Sequence, residues 1–221
     1  MKYYPINLNI KDRQCLVIGG GKVALRKVQR LVSCQAIVRI ISPQVVSQLA
    51  EIAQKEGIEI LYKEVCSADL NDAFMIFATT NDAMVNRSIA RWAQEKNILC
   101  NIADRPDQSD FTLPSVIEQG DLNISISTNG KSPALSRFIR KRLQDEFGQE
   151  YATFLELMGN LRQILNTEIS CQKKRQKIYQ SLLDSPILNC LKQKDLNTVS
   201  NTCEELTGHC LDEIIDVYNC S

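Results

Sequence analysis

Gln14-Cys-Leu-Val-Ile-Gly-Gly-Gly-Lys-Val-Ala-Leu-Arg-Lys27 decides the fold. A short apolar run, Cys15 to Ile18, meets three glycines, and behind them the apolar spacing changes to Val23, Leu25, Val28, Leu31 and Val32. That second spacing suits a helix packed on one side, so the stretch predicts a strand, a tight turn and a helix. Gly19, Gly21 and Ala24 fill the G-x-G-x-x-G/A frame of a dinucleotide-binding unit. In that frame the first glycine makes the turn, the second lets backbone approach a pyrophosphate, and the small third residue lets helix and strand pack closely. The helix beginning near Lys22 offers free N–H groups and a positive dipole end, which brings Lys22 and Val23 into the cofactor-binding set with Gly19 and Gly21. A glycine-rich turn that binds nothing is the competing reading of these residues alone.

Working outward, residues 37–41 form a β-branched run that stops at Ser42-Pro43, followed by a helical pattern over 44–56, Gly57 as a helix cap, and a strand over 58–62. Residues 73–78 are apolar throughout, the mark of a central buried strand. They end at Thr79-Thr80-Asn81-Asp82, where Asp82 caps a helix reaching about Lys96, and a strand over 98–102 completes the alternation. Five strands separated mostly by helices predict a Rossmann-like, doubly wound parallel sheet. Residues 3–10 alternate loosely and read as a short edge strand before it. Beyond Asp104-Arg105-Pro106-Asp107 the period breaks: 111–116 is extended, 122–128 alternates apolar and polar, and from Pro133 helix formers dominate. This predicts a small mixed sheet or hairpin, then a helical C-terminal region. The division expected is 1–112 for dinucleotide binding, 113–148 for dimerisation and a substrate cleft, and 149–221 for the helical domain.

With 26 basic and 26 acidic side chains the chain is neutral, so it lacks the general footprint of a nucleic-acid binder, and any basic patch is local. No apolar stretch approaches the roughly 20 residues of a membrane span, and the N-terminus lacks the apolar core of a signal peptide. A cytosolic protein is expected; of its nine cysteines, Cys15, Cys34, Cys66 and Cys100 in the Rossmann-like part are expected to behave as small hydrophobes, and the other five lie in the last quarter of the chain. Cys203, His209 and Cys210 do not have the spacing of a known zinc module, and no metal site is predicted.

Ligands of open parallel sheets bind outside the carboxyl ends of the strands. The rim therefore comprises Gly19 to Val23, Ser42-Pro43-Gln44, Thr79-Thr80, and the segment around Asp104. Ser42 and Gln44 are candidates for the ribose hydroxyls; the acid that usually grips NAD there is missing, and so is an arginine for NADP. Thr79 and Thr80 are read either as ribose and nicotinamide contacts or as residues satisfying local backbone. Asp104, just past the last parallel strand, is a proton acceptor or an ordinary turn aspartate. Farther on, Ser132 suits a helix N-cap and Pro133 the first helical position, leaving free N–H groups beside Lys131. Together with Arg137, Arg140, Lys141 and Arg142, Lys131 and Ser132 describe a site for a polyanionic ligand.

Taken in order, the pieces resemble the precorrin-2 dehydrogenase and sirohydrochlorin ferrochelatase family, the N-terminal part of sirohaem synthases. They are Val17 to Lys27, Ile41-Ser-Pro43, Ala78-Thr-Thr-Asn-Asp82, Asn101-Ile-Ala-Asp104, Phe111-Thr-Leu-Pro-Ser115, and Ser125-Ile-Ser-Thr-Asn-Gly-Lys-Ser-Pro-Ala-Leu-Ser-Arg137, spread over about the first two thirds of the chain. The resemblance implies NAD-dependent oxidation of precorrin-2 to sirohydrochlorin, in some members insertion of ferrous iron, and a homodimer. It puts the family's essential aspartate on Asp104 and a substrate-binding position on Thr128, where many members have serine. Arg105 stands where many have a second acid. The alternatives are a dinucleotide-sensing regulatory module that catalyses nothing, and a dehydrogenase of another anionic substrate.

Overall fold

The apolar runs become strands because both of their faces are covered. In the computed structural model, which describes residues 3–103 and 105–210, the strands are β1 (Gln14–Ile18), β2 (Ile37–Ile41), β3 (Glu59–Leu61), β4 (Met75–Ala78) and β5 (Leu99–Ile102). They pair in parallel in the order β3-β2-β1-β4-β5, with Val17 level with Ile40 on one side and Phe77 on the other. Successive residues of β1 go to opposite faces. Cys15 and Val17 join Ile40 and Phe77 under helices α1 (Lys22–Ser33) and α2 (Ser47–Glu56), which contribute Val28, Leu31 and Leu49. Leu16 and Ile18 join Ile76 and Ile102 under helix α3 (Ala83–Glu95), which contributes Ile89 and Ala93. This is the doubly wound sheet predicted, with its order reversing between β1 and β4.

One expectation changes. Residues 3–10 form no strand, because β1 is central and already paired on both sides. Ile10 instead packs on the α1 and α2 side, and the chain turns at Asp12, whose N–H donates to the Gln35 carbonyl at 2.9 Å. At the other end of the sheet β5 is an edge strand whose free amides would otherwise invite pairing. A non-strand segment satisfies them: Asp110 Oδ2 accepts from the Cys100 N–H at 2.8 Å and Ser109 Oγ from the Ile102 N–H at 2.9 Å. Asn101 Nδ2 donates to the Phe111 carbonyl at 2.9 Å, and the Phe111 ring meets Phe77 edge-on at 5.6 Å.

The chain divides into two units, Met1–Leu113 and Pro114–Ser221. The second begins with an antiparallel hairpin of its own, β6 (Ser115–Gln119) and β7 (Leu122–Ile126), turned at Gly120 with φ +56. Helix α4 (Pro133–Glu146) follows, tied to the hairpin between the Ser115 and Ser136 hydroxyls, and then α5 (Glu150–Glu168), α6 (Gln172–Asp184), α7 (Ile187–Gln193) and α8 (Leu196–Thr207). Phe154, Leu161, Leu182, Ile187, Val199 and Cys203 make their core. The shorter helical pieces expected after residue 183 are α7 and α8, and the part of that expectation that runs past residue 210 to Val217 lies outside the described residues.

Asp110→Ala leaves the Cys100 amide without its acceptor. The expected loss is about 1–3 kcal/mol, read from the urea midpoint; an unchanged midpoint would mean that the β5 edge is held by Phe111 and Ser109 alone.

Candidate functional site

The glycine turn is held by three backbone constraints. Gly19 has φ +120, in the region that favours glycine, and a Cβ there would lie 2.7 Å from Thr79 Oγ1 and 2.8 Å from its carbonyl. Gly20 passes so close to the loop after β2 that a Cβ would lie 1.9 Å from the Gln44 carbonyl oxygen. Two hydrogen bonds lock that approach, Gly19 N–H to the Ile41 carbonyl and Val46 N–H to the Gly20 carbonyl, each 2.9 Å. Gly21, by contrast, has nothing within 4 Å of a Cβ, and as the N-cap of α1 it supplies no side chain to the first amides of that helix. Behind it Lys22 is exposed, Val23 half-buried and Ala24 fully buried. Open space over Gly21 and uncapped amides at the start of α1 are what a pyrophosphate requires, so these residues fit a dinucleotide. The need for Gly20 was missed, because its position in the frame is free to be any residue. The only signal was a third glycine where none is required.

Around this turn the hydroxyls of the rim are internally bonded. Ser42 is buried and its hydroxyl donates to the Gln44 carbonyl at 2.6 Å, so it meets a ribose only as an acceptor. Pro43 and Gln44 are exposed. Thr79 Oγ1 donates to the Ile18 carbonyl at 2.9 Å, joining the tips of β4 and β1. Thr80 Oγ1 donates to Asn86 Oδ1 at 2.7 Å, and Asn86 Nδ2 returns a bond to the Thr80 carbonyl at 3.0 Å. Both threonine protons are therefore committed locally. Asp104 lies outside the described residues. Its neighbours are held, Ala103 N–H by the Ala78 carbonyl at 3.0 Å and Arg105 N–H by the Ile102 carbonyl at 3.3 Å.

In the second unit Thr128, Lys131 and Ser132 form one turn. Thr128 Oγ1 accepts from the Ser132 N–H at 3.1 Å, and the Thr128 carbonyl accepts from the Lys131 N–H at 3.0 Å. Ser132 Oγ caps the Leu135 N–H at 3.1 Å. The expected row of free amides at the α4 start is accordingly small: Pro133 has none and Leu135 is capped, which leaves Ala134. Charge is the larger feature. Lys131 and Arg137 are exposed, and neither they nor Arg140, Lys141 or Arg142 pair with a carboxylate among the described residues.

The cysteines follow burial. Desolvation pushes the thiols of Cys15 and Cys203 up to about 11 and that of Cys100 up to about 12, so these stay protonated and inert. Cys171 is exposed at the start of α6, where the Lys174 and Lys173 amides and nearby charges lower its pKa. His209 Nε2 lies 2.9 Å from Glu168 Oε2, and no group of three metal-ligating side chains occurs among the described residues. None of the described helices is long and apolar enough to cross a membrane.

Residues 6–115 match the NAD(P)-binding family model, and residues 119–146 match that of the sirohaem biosynthesis protein central region. The sirohaem synthase of Thioalkalivibrio sulfidiphilus is 32% identical over 187 residues, covering 85% of this chain and 38% of its own length. That of Nitrosococcus oceani is 33% identical over 187 residues, 85% of this chain and 40% of its own. The chain thus spans about two fifths of these curated relatives. The solved structure titled SirC, precorrin-2 dehydrogenase, has the same fold, with a TM-score of 0.77 at 22% identity over 94% of this chain and all of that one.

Gly21→Ala and Gly20→Ala should behave oppositely. With φ −89 and empty space at its Cβ, Gly21→Ala keeps stability within about 1 kcal/mol but weakens NAD at least about tenfold by titration calorimetry. Gly20→Ala displaces the loop at Gln44 and lowers the melting temperature as well. Among the described thiols, Cys34, Cys66 and Cys171 should react with a disulfide reagent in the native state while Cys15, Cys100 and Cys203 do not. Because the Cys171 pKa is lowered, its thiolate fills first as pH rises, so at the acid end of the titration Cys171 should react first.

Proposed function

The chain belongs to the sirohaem-synthase family, and from that premise we propose that it oxidises precorrin-2 to sirohydrochlorin with NAD in the cytosol, as a homodimer. The observation that carries the reading is the open, uncapped start of α1 beneath Gly21, set at the point where the sheet order reverses. Bound NAD supplies the hydride acceptor. The Lys22, Val23 and Ala24 amides would hold its pyrophosphate, and Ser42 and Gln44 would meet the adenosine ribose. Asp104 takes the proton that leaves the macrocycle with the hydride, so one oxidation yields one NADH and one proton. Lys131, Arg137 and the Ala134 amide engage the substrate's carboxylates, and Thr128 presents a hydroxyl beside them. Leu135 and Phe138, exposed at 48% and 61% on α4, support pairing with a second copy. Ferrous iron is the further substrate tested with the product.

Precorrin-2 and NAD mixed with the chain should yield NADH and sirohydrochlorin in equal amounts, followed by absorbance. Asp104→Asn should bind NAD as before and turn over about 10²–10⁴ times more slowly. Binding of NAD with no absorbance change would leave the sensing module standing, and turnover of smaller carboxylates alone would leave a different dehydrogenase. Adding iron to the product, with and without the chain, reads metal insertion.

A further inference from the structure

Arg87 and Arg105 line one small pocket in the first unit, together with Ala83, Asn86 and Gln108. Arg87 sits in the first turns of α3 and gives only its Nε, to the Ala83 carbonyl at 3.2 Å, so its two terminal nitrogens are uncommitted. Arg105 opens the 3-10 turn Pro106–Gln108 that follows β5. Neither guanidinium pairs with a carboxylate among the described residues. The nearest acid in sequence to Arg87, Asp82, is committed to the Met84 and Val85 amides at 2.7 and 3.3 Å. One wall is rigid, since Asn86 is 2% exposed and bonded twice to Thr80. Two cations that line one pocket and pair with no carboxylate among the described residues repel each other, and an anion between them relieves this. Three residues before Arg87 in α3, and so its neighbour on the helix surface, Met84 is 71% exposed. An exposed apolar side chain neighbouring one of the two arginines suits a ligand with an apolar body and carboxylate arms.

The cofactor's own anions are accounted for elsewhere. Its pyrophosphate belongs at the start of α1, and its adenosine end beyond β2, which β1 separates from β4 in the sheet. The pocket stands at the carboxyl ends of β4 and β5, on the other side of the reversal point. We infer that Arg87 and Arg105 form a clamp for one side-chain carboxylate of the tetrapyrrole substrate, orienting the macrocycle. This rests on the dehydrogenase reading above.

The test uses Arg87→Gln, Arg105→Gln and the double variant of the full chain. Each single variant should raise the KM for precorrin-2 about tenfold or more, leave the KM for NAD and the kcat within about twofold, and be partly rescued by lysine. A double variant whose KM for precorrin-2 stays within twofold of the original overturns the clamp. Should the unaltered chain not turn over precorrin-2, the dehydrogenase reading fails by itself, and direct titration with sirohydrochlorin decides the clamp. Weaker binding by the double variant supports it; equal binding, or none by either protein, overturns it.

Discussion

Everything at the site depends on one close approach, the Gly20 backbone against the Gln44 carbonyl. A Cβ at 1.9 Å cannot be accommodated, so the loop after β2 reaches the turn after β1 only because residue 20 is glycine. That approach lets the Gly20 carbonyl accept from Val46, which is the N-cap of α2, and it seats the Ser42 to Gln44 segment beside the turn. Thr79 does the equivalent from the other side, bonding β4 to β1 under Gly19. Three strand tips are thereby tied into one surface, and Gly21 alone is left open.

What was legible in the sequence had short-range causes. The glycine frame, the buried parallel strands, and the helices from α4 onward each announce themselves through neighbouring residues. So did the Ser132 cap, although the number of amides it leaves free required counting Pro133 and Leu135 as well. The features that escaped notice are tertiary rather than periodic. Gly20 answers to Gln44 across the strand tips, and the Asp110–Cys100 and Asn86–Thr80 bonds, though closer in sequence, follow no helical or strand spacing. Residues 3–10 misled for the converse reason: alternation was present, but no strand edge beside β1 was free to receive it. Asp104 is proposed from its place after the last parallel strand and from the resemblance, and it lies outside the described residues.

Charge shows the same separation of causes. A balanced total of 26 and 26 conceals an uneven distribution of partners. Arg39 is paired with Glu59 and Lys63 with Asp69, both in the first unit around β2 and β3. Arg87 and Arg105 near β4 and β5, and Lys131 and Arg137 near the α4 start, have no carboxylate among the described residues.

That pattern bears on the choice of NAD. An NADP site needs a cation near the end of β2 to offset the added 2′-phosphate. Ser42 to Val46 contain no cation, and Arg39, the one basic residue of β2, is held by Glu59 at 2.6 Å. Ser42 gives its proton to Gln44, so its oxygen faces a ligand as an acceptor, which suits a ribose hydroxyl and repels a phosphate. The acid that usually marks NAD is missing, yet the rim selects in the same direction: it lacks what a 2′-phosphate requires and keeps an acceptor for the 2′-hydroxyl.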